Sequence, residues 1–233
     1  MRMERVNDRT APRLLGAAYL IVVFTSLTSG TLLTSVVGSG TISEIMVNIS
    51  KATTLMRISI VGDLVTSLGV IVLAVLLYVV LHKQNRILAL VALGFWFAEA
   101  MALAFAKIGS LALIPLSLEF VKAGAPQHSY YQTLGQFLYQ GVVQQLGSTT
   151  HLFFYCLGGL LWYYLFYRSG YIPRAISLFG LAAVAVGLVG IVLQFLGTDV
   201  PILVFLPLLP FELAIGTWLL LRGIGGRLEM PKD

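Results

Sequence analysis

Three acidic residues lie within long apolar stretches of this chain, where a charge is costly. They are Asp63, Glu99 and Glu212. An ionisable residue at membrane depth costs about 2.5–3.5 kcal/mol on insertion scales, so each of the three requires an explanation. His151 lies early in another apolar stretch, and Arg57 lies at the outer edge of the stretch that holds Asp63. We therefore treat these five residues as candidate ligand-binding positions.

Acids and a histidine at membrane depth commonly mark paths for protons, ions or polar solutes. The sequence therefore predicts binding or movement of a small polar solute, a cation or a proton, through a pocket in the outer half of the membrane. One alternative is a membrane-embedded enzyme acting on a lipid or isoprenoid, with Glu99 or Asp63 as acid/base and His151 as its partner. Another is a non-catalytic accessory or assembly subunit, in which the acids only hold helices together.

Motifs that would favour catalysis are missing from the sequence. It contains no H-E-x-x-H, no G-x-S-x-G, no Walker loop and no G-x-G-x-x-G. Of the other histidines, His82 lies at the predicted cytoplasmic side and His128 in the outer loop, and the spacing of the acids does not demand a divalent ion. We therefore expect no metal and no cofactor, and the residues favour a non-enzymatic role.

The composition excludes an ordinary soluble protein. Hydrophobic residues make up 58% of the chain and charged residues 11%, against a usual charged share of about 25%. The net charge of +5 comes from short basic clusters between apolar stretches, which is not the pattern of a nucleic-acid interface. The expected partners are membrane lipids and a small polar solute or cation, with no nucleic acid.

Six apolar stretches are long enough to cross a bilayer, which takes about 20 helical residues. They cover residues 13–37, 57–82, 86–110, 147–168, 173–197 and 201–222. The first is longer than the apolar core of a signal peptide, usually about 7–15 residues, so we expect it to be retained. The sequence predicts an all-α membrane bundle of about six transmembrane helices, with an N-terminal segment 1–12 and a tail 223–233. Pro207 and Pro210 are expected to interrupt the entry of the last span.

The connection at 111–146 carries apolar residues at helical spacing opposite a series of glutamines. The glutamines are Gln132, Gln136, Gln140, Gln144 and Gln145. This pattern predicts either an amphipathic helix over 129–146 at the outer interface or a long extension of the fourth span. Because nothing in it is reactive, we expect it to rest on the interface rather than line a substrate site.

A short internal similarity suggests a repeat. Residues 58–62 read ISIVG after Arg57, and residues 176–180 read ISLFG after Arg174. The two predicted helices run in opposite directions, as the halves of an inverted-repeat transporter do.

The distribution of basic residues predicts the orientation. Lys51, Arg57, Lys107 and Lys122 fall on one side of the predicted bundle, and the remaining bases among the 15 fall on the other. By the positive-inside rule, both termini are cytoplasmic. We therefore expect a multi-pass protein of the cell inner (plasma) membrane.

Three segments resemble a known family. They are Leu77-Tyr78 through residues 85–90 with Glu99 following, the turn at residues 167–174 that reads YRSGYIPR, and Glu212 through Trp218 to Gly223. Together they are similar to the bacterial multi-pass membrane proteins grouped as domain of unknown function 4386. The resemblance covers roughly Arg13 to Gly223. It implies a helical membrane protein of six or seven spans with no assigned activity, so it carries over no catalytic or binding residue.

The orientation can be tested by labelling single cysteines with an impermeant reagent in whole cells. Gln84→Cys and Gly170→Cys should be protected, because both positions lie in predicted cytoplasmic turns. Ser43→Cys and Gln127→Cys should react from outside. Reaction at Gln84→Cys from outside would reverse the orientation and the expected outward opening of the pocket.

Overall fold

The computed structural model describes residues 2–225, with side chains from Ala11 onward, and it is helical throughout. Met1 and residues 226–233, which hold Arg227, Lys232 and most of the predicted tail, lie outside the described residues. The all-α prediction is confirmed, since no strand occurs between residues 2 and 225. The elements are α1 (Arg2–Val37), α2 (Ile42–Lys51), α3 (Thr53–Leu81), α4 (Arg86–Lys122), α5 (Tyr130–Gln136), a π-helix (Phe137–Thr150), α6 (His151–Ser169), α7 (Arg174–Phe195), a 3₁₀ turn (Ile202–Val204) and α8 (Leu208–Arg222).

Five helical segments within the described residues are long and apolar enough to cross a membrane. They are Ala11–Val37, Thr53–Leu81, Arg86–Lys122, Arg174–Phe195 and Ile202–Arg222. Large hydrophobic side chains point outward from them, including Phe24 (71% exposed) and Ile87 (73% exposed). Exposing so much apolar surface to water would be unfavourable, whereas contact with lipid is favourable. The chain is therefore a multi-pass membrane protein.

The predicted fourth span, 147–168, corresponds to the end of the π-helix and to α6. Helix α6 has 19 residues, but its tyrosines and tryptophan make it less apolar than the other five segments. The total of six spans therefore stays a prediction, as does the orientation of the termini.

The described helices divide into two compact units. The first unit comprises the described parts of Met1–Val23, Gly69–Ala98 and Leu152–Asp233, and the second comprises Phe24–Leu68 and Glu99–His151. In the first unit, α7 packs against α8, and the indole of Trp96 stacks on the ring of Tyr155 with centroids 5.8 Å apart. In the second unit, α2 packs against α5.

Glycines mark close packing in the first unit, as small residues commonly do in membrane helices. A Cβ atom at any of five glycines would fall against a neighbouring side chain: Gly158 (Trp96), Gly159 (Val184), Gly180 (Phe211), Gly187 (Cys156) and Gly190 (Val204). These neighbouring side chains can approach the helix backbone so closely only because the glycines carry no side chain.

Helix extends beyond several of the predicted spans, into the chain that connects them. Helix α1 begins at Arg2, so residues 2–12 are helical and Pro12 lies inside the helix. Helix α2 occupies most of 38–56. Helix α4 continues past residue 110 to Lys122, with Pro115 inside it, because the sequence after Lys107 stays apolar and helix-forming. At about 1.5 Å per residue, α4 is longer than the hydrocarbon core is thick.

Residues 130–169 form a continuous helical segment, which is the second of the two alternatives for the glutamine-rich region. Phe137 and His151, at the two ends of the π-helix, both keep right-handed helical dihedrals, so α5, the π-helix and α6 follow without a break. The predicted interruption at the entry of the last span is present at Pro207, whereas Pro210 lies in the first turn of α8. Chain turns separate the 3₁₀ turn from α8, and Pro207 precedes the first residue of α8.

Gly180→Leu should lower the thermal unfolding midpoint in detergent, because the new side chain would displace the fully buried ring of Phe211. Overpacking of this kind typically costs about 1–3 kcal/mol. Gly94→Leu is the matched control in the same unit. A Cβ atom at Gly94 would meet no atom within 4 Å in the described part of the chain. Equal midpoints for the two variants would contradict the packing at Gly180.

Candidate functional site

An ion pair lies inside the helices of the second unit. Lys107 on α4 pairs with Asp63 on α3, and their side chains are 6% and 16% exposed. The ammonium contacts one carboxylate oxygen, and the hydroxyl of Ser29 on α1 donates a hydrogen bond to the other. Both oxygens of the buried carboxylate therefore have a donor, which is what a buried charge requires.

Helix α1 reaches Asp63 because α3 has a glycine at the neighbouring position. A Cβ atom at Gly62 would lie 3.0 Å from the Cβ atom of Ser29. One turn away, the hydroxyl of Thr66 donates to Oγ1 of Thr25 at 2.9 Å. Ser29 and Thr25 thus connect α1 to α3 by hydrogen bonds beside the ion pair.

The other hydroxyl residues in the outer half of span one do not all serve this cluster. The sequence predicts that Thr25, Ser26, Thr28, Ser29, Thr31, Thr34 and Ser35 line a polar cavity while bonding back to carbonyls of their own helix. Thr28, Thr31, Thr34 and Ser35 donate to carbonyl oxygens of α1 itself. Thr25 and Ser29 are the two that reach α3.

His151 adds a third titratable group to this cluster. It is the first residue of α6 and lies within electrostatic range of Lys107 and Asp63. Its Nδ1 atom is buried and has no hydrogen-bond partner among the described residues. We name Asp63, Lys107, His151 and Ser29 the charged cluster.

The remaining predicted site residues lie elsewhere. Glu99 is buried on α4 in the second unit, eight residues before Lys107, which is about 12 Å along the helix. Arg57 is exposed. Glu212 is half-buried in the first unit, within electrostatic range of the hydroxyls of Tyr155 and Tyr163. Those two hydroxyls are 3.3 Å apart.

The structure thus brings Asp63 and His151 together and places Glu212 in a different unit. A pocket shared by all three acids stays a prediction. Across the described residues, no three His, Cys, Asp or Glu side chains are arranged as ligands of a metal ion.

A cleft of about 400 Å³ opens in the second unit, between the loop after α1 and the helical segment that includes the π-helix. Its lining consists of residues 38–42, Ile45, Gln136, Tyr139, Gln140 and Gln144. None of these lining residues carries a charged side chain. The glutamine series was visible in the sequence, but the opposing loop was not predicted to reach it.

The loop that forms one wall of the cleft is held by hydrogen bonds at both ends. The N–H of Gly38 donates to the Thr34 carbonyl at 3.0 Å, and the side-chain amide of Asn48 donates to the Val37 carbonyl at 3.2 Å. The backbone N–H of Thr41 donates to the Glu44 carboxylate at 2.7 Å. That bond, together with one from the Thr41 hydroxyl, holds the pKa of Glu44 below its usual value. The carboxylate is therefore engaged in capping α2.

Lys107 is a site residue that sequence analysis misplaced. Its position near the predicted end of span three suggested a base at the outer edge of the membrane. The structure buries it instead, because α4 continues for several turns beyond it. The sequence did hold a signal for this burial, because Lys107 is followed by further apolar residues with no helix-breaking residue directly after it.

Comparison with known proteins agrees with the resemblance seen in the sequence. No curated protein and no solved structure matches this chain. The model of the family described as "Domain of unknown function (DUF4386)" matches residues 14–223, which is most of the sequence. The chain therefore belongs to the DUF4386 family.

Proposed function

We propose that this membrane protein binds or moves a proton or a small polar solute at the charged cluster. The observation that carries the proposal is the buried ion pair of Asp63 and Lys107. Intramembrane ionisable residues are rare and most often belong to solute or proton pathways. The cluster combines an acid, a base, a histidine and a hydroxyl within one unit.

The charges of the cluster favour some ligands over others. Lys107 already neutralises Asp63, so a metal cation would have to displace an ammonium group. A proton needs no such displacement, because carboxylate, imidazole and hydroxyl groups can all accept or pass one. A polar solute that carries both a donor and an acceptor could insert between the two charged groups. A proton or such a solute therefore suits the cluster better than a metal cation.

A second candidate function is a non-catalytic assembly subunit, in which the ion pair only fixes the helices. The direct contact between Asp63 and Lys107 favours it, since each charge has its partner. Buried pairs of this kind can specify which helices pack together. The two candidates differ in whether water ever reaches the pair.

Water access to the charged cluster decides between these candidates. In a Cys156→Ala background reconstituted in nanodiscs, Ser29→Cys should react with a charged, water-soluble methanethiosulfonate. Ser29 is only 1% exposed, so reaction requires the cluster to open, as a binding site must. Ser177→Cys, whose parent residue is fully buried in the first unit, is the control and should stay unreactive. If Ser29→Cys were as unreactive as Ser177→Cys, binding of a polar solute at the cluster would be excluded, and the assembly role would be favoured.

Removing one charge should destabilise the protein, because the other would be left buried and unpaired. Asp63→Asn should lower the free energy of unfolding by about 3–5 kcal/mol, measured as a lower thermal midpoint in detergent. The double variant Asp63→Asn/Lys107→Gln should recover much of that loss. Glu212→Gln is the matched control, because the neighbours of Glu212 are tyrosine hydroxyls. It should leave the midpoint nearly unchanged. A loss at Glu212→Gln equal to that at Asp63→Asn would mean that Glu212 also neutralises a buried base.

A further inference from the structure

We propose that the cleft between the loop after α1 and the glutamine-bearing helical segment binds an uncharged polyhydroxylated group, the size of one or two sugar rings. This inference goes beyond the proposed function and uses none of the residues of the charged cluster. Its ligand is a hydroxyl-rich group, either a free sugar or polyol or the neutral sugar headgroup of a lipid.

The lining of the cleft matches hydroxyl groups. Gln136, Gln140 and Gln144 present amides along one wall. An amide offers both a donor and an acceptor, as does a hydroxyl, so the two pair in either direction. The absence of charged groups in the lining gives the cleft no means to select an ion. Neutral ligands that make many hydrogen bonds are therefore favoured.

The three amides are available to a ligand. Among the described residues, no hydrogen bond engages the side-chain amide of Gln136, Gln140 or Gln144. Gln132, one turn earlier, shows the alternative use of such an amide. It accepts a hydrogen bond from the Ser129 backbone at 3.2 Å and donates to the Ser43 hydroxyl. The glutamine series thus divides into one structural member, Gln132, three members that face the cleft, and Gln145, which does not line it.

The cleft also has an apolar side suited to the C–H face of a sugar ring. Tyr139 contributes an aromatic ring, and Ile42 and Ile45 lie opposite on α2. Small-molecule sites commonly combine such apolar surface with a few well-placed polar groups. The volume of about 400 Å³ also falls in the range of ligand sites, about 300–1,000 Å³.

Both walls are held in place before any ligand binds. The loop is fixed by the capping box of Thr41 and Glu44 and by Asn48. Behind the cleft, Ile45 packs into a hydrophobic cluster with Val37, Ile49 and Val143, and Val143 belongs to the π-helix. A preformed site loses little conformational entropy on binding.

The π-helix itself is an independent indication of function. Hydrogen bonds from residue i to i+5 are rare in proteins, and where they occur they are frequently at functional sites. Here 14 residues adopt this form, and Tyr139, Gln140 and Gln144 belong to it. The unusual backbone thus coincides with the wall that carries the free amides.

The test measures binding of neutral probes to the purified full-length protein in phosphatidylethanolamine/phosphatidylglycerol nanodiscs. Glucose and maltose serve as free ligands, followed by saturation-transfer NMR. Monoglucosyl diacylglycerol serves as the lipid-borne ligand, followed by native mass spectrometry against plain diacylglycerol. Gluconate and glucosamine are the charged comparators. Saturable binding of the neutral probes in preference to the charged ones is expected.

Matched variants locate the binding. Gln140→Leu and Gln144→Leu should each weaken binding about tenfold. This loss of affinity corresponds to one or two hydrogen bonds. Gln145→Leu should leave it unchanged, because Gln145 is an exposed glutamine on the same π-helix that does not line the cleft. Thermal midpoints of the three variants report whether each folds.

Each outcome bears on the proposal. Binding of the free sugars supports a soluble ligand, and retention of the glycolipid alone supports a headgroup. The proposal is overturned if neither class binds saturably, if gluconate or glucosamine binds better, or if Gln145→Leu weakens binding as much as Gln140→Leu. Asp63→Asn/Lys107→Gln should bind the sugars normally, so failure here is distinguishable from failure of the proposed function.

Discussion

A charge buried among membrane helices persists only with a partner, and this requirement determines how three helices of the second unit meet. Asp63 on α3 receives Lys107 from α4 and Ser29 from α1. Sliding any of these helices by one turn, about 5.4 Å, would separate the groups and leave a charge or a hydroxyl unpaired. Gly62 supplies the space that α1 needs. The pair thus selects one register among the many that apolar helices could adopt.

The π-helix satisfies a different constraint in the same unit. Its backbone donors must be bonded internally, and they are, as the His151 N–H that donates to the Leu146 carbonyl illustrates. Small residues let neighbouring segments approach on one side. Gly109 of α4 lies against Val142, and Gly147 lies against Ala106. Packing on that side leaves the glutamines of the other side facing the cleft, and it brings His151 directly after the last π turn.

Much of the fold could be predicted from the sequence, because long apolar stretches in lipid must become helices. The turn at residues 167–174 and the proline interruption before α8 were also readable, since Gly and Pro restrict the backbone locally. The partner of Asp63 was not predictable, because Lys107 lies 44 residues away and side-chain pairing depends on helix register. The cleft was missed for the same reason, since its two walls come from residues about a hundred positions apart in the sequence.

The two units accommodate their buried acids by different means, and the difference bears on what each acid can do. Asp63 is satisfied by an ammonium and a hydroxyl, one donor for each of its carboxylate oxygens. Glu212 lies near the hydroxyls of Tyr155 and Tyr163, which can donate to a carboxylate or accept from a carboxylic acid. Its surroundings therefore tolerate either protonation state without leaving a buried group unpaired. At Asp63, by contrast, both partners are donors carried by other helices, so the pairing of the carboxylate and the packing of α1, α3 and α4 are linked in the second unit.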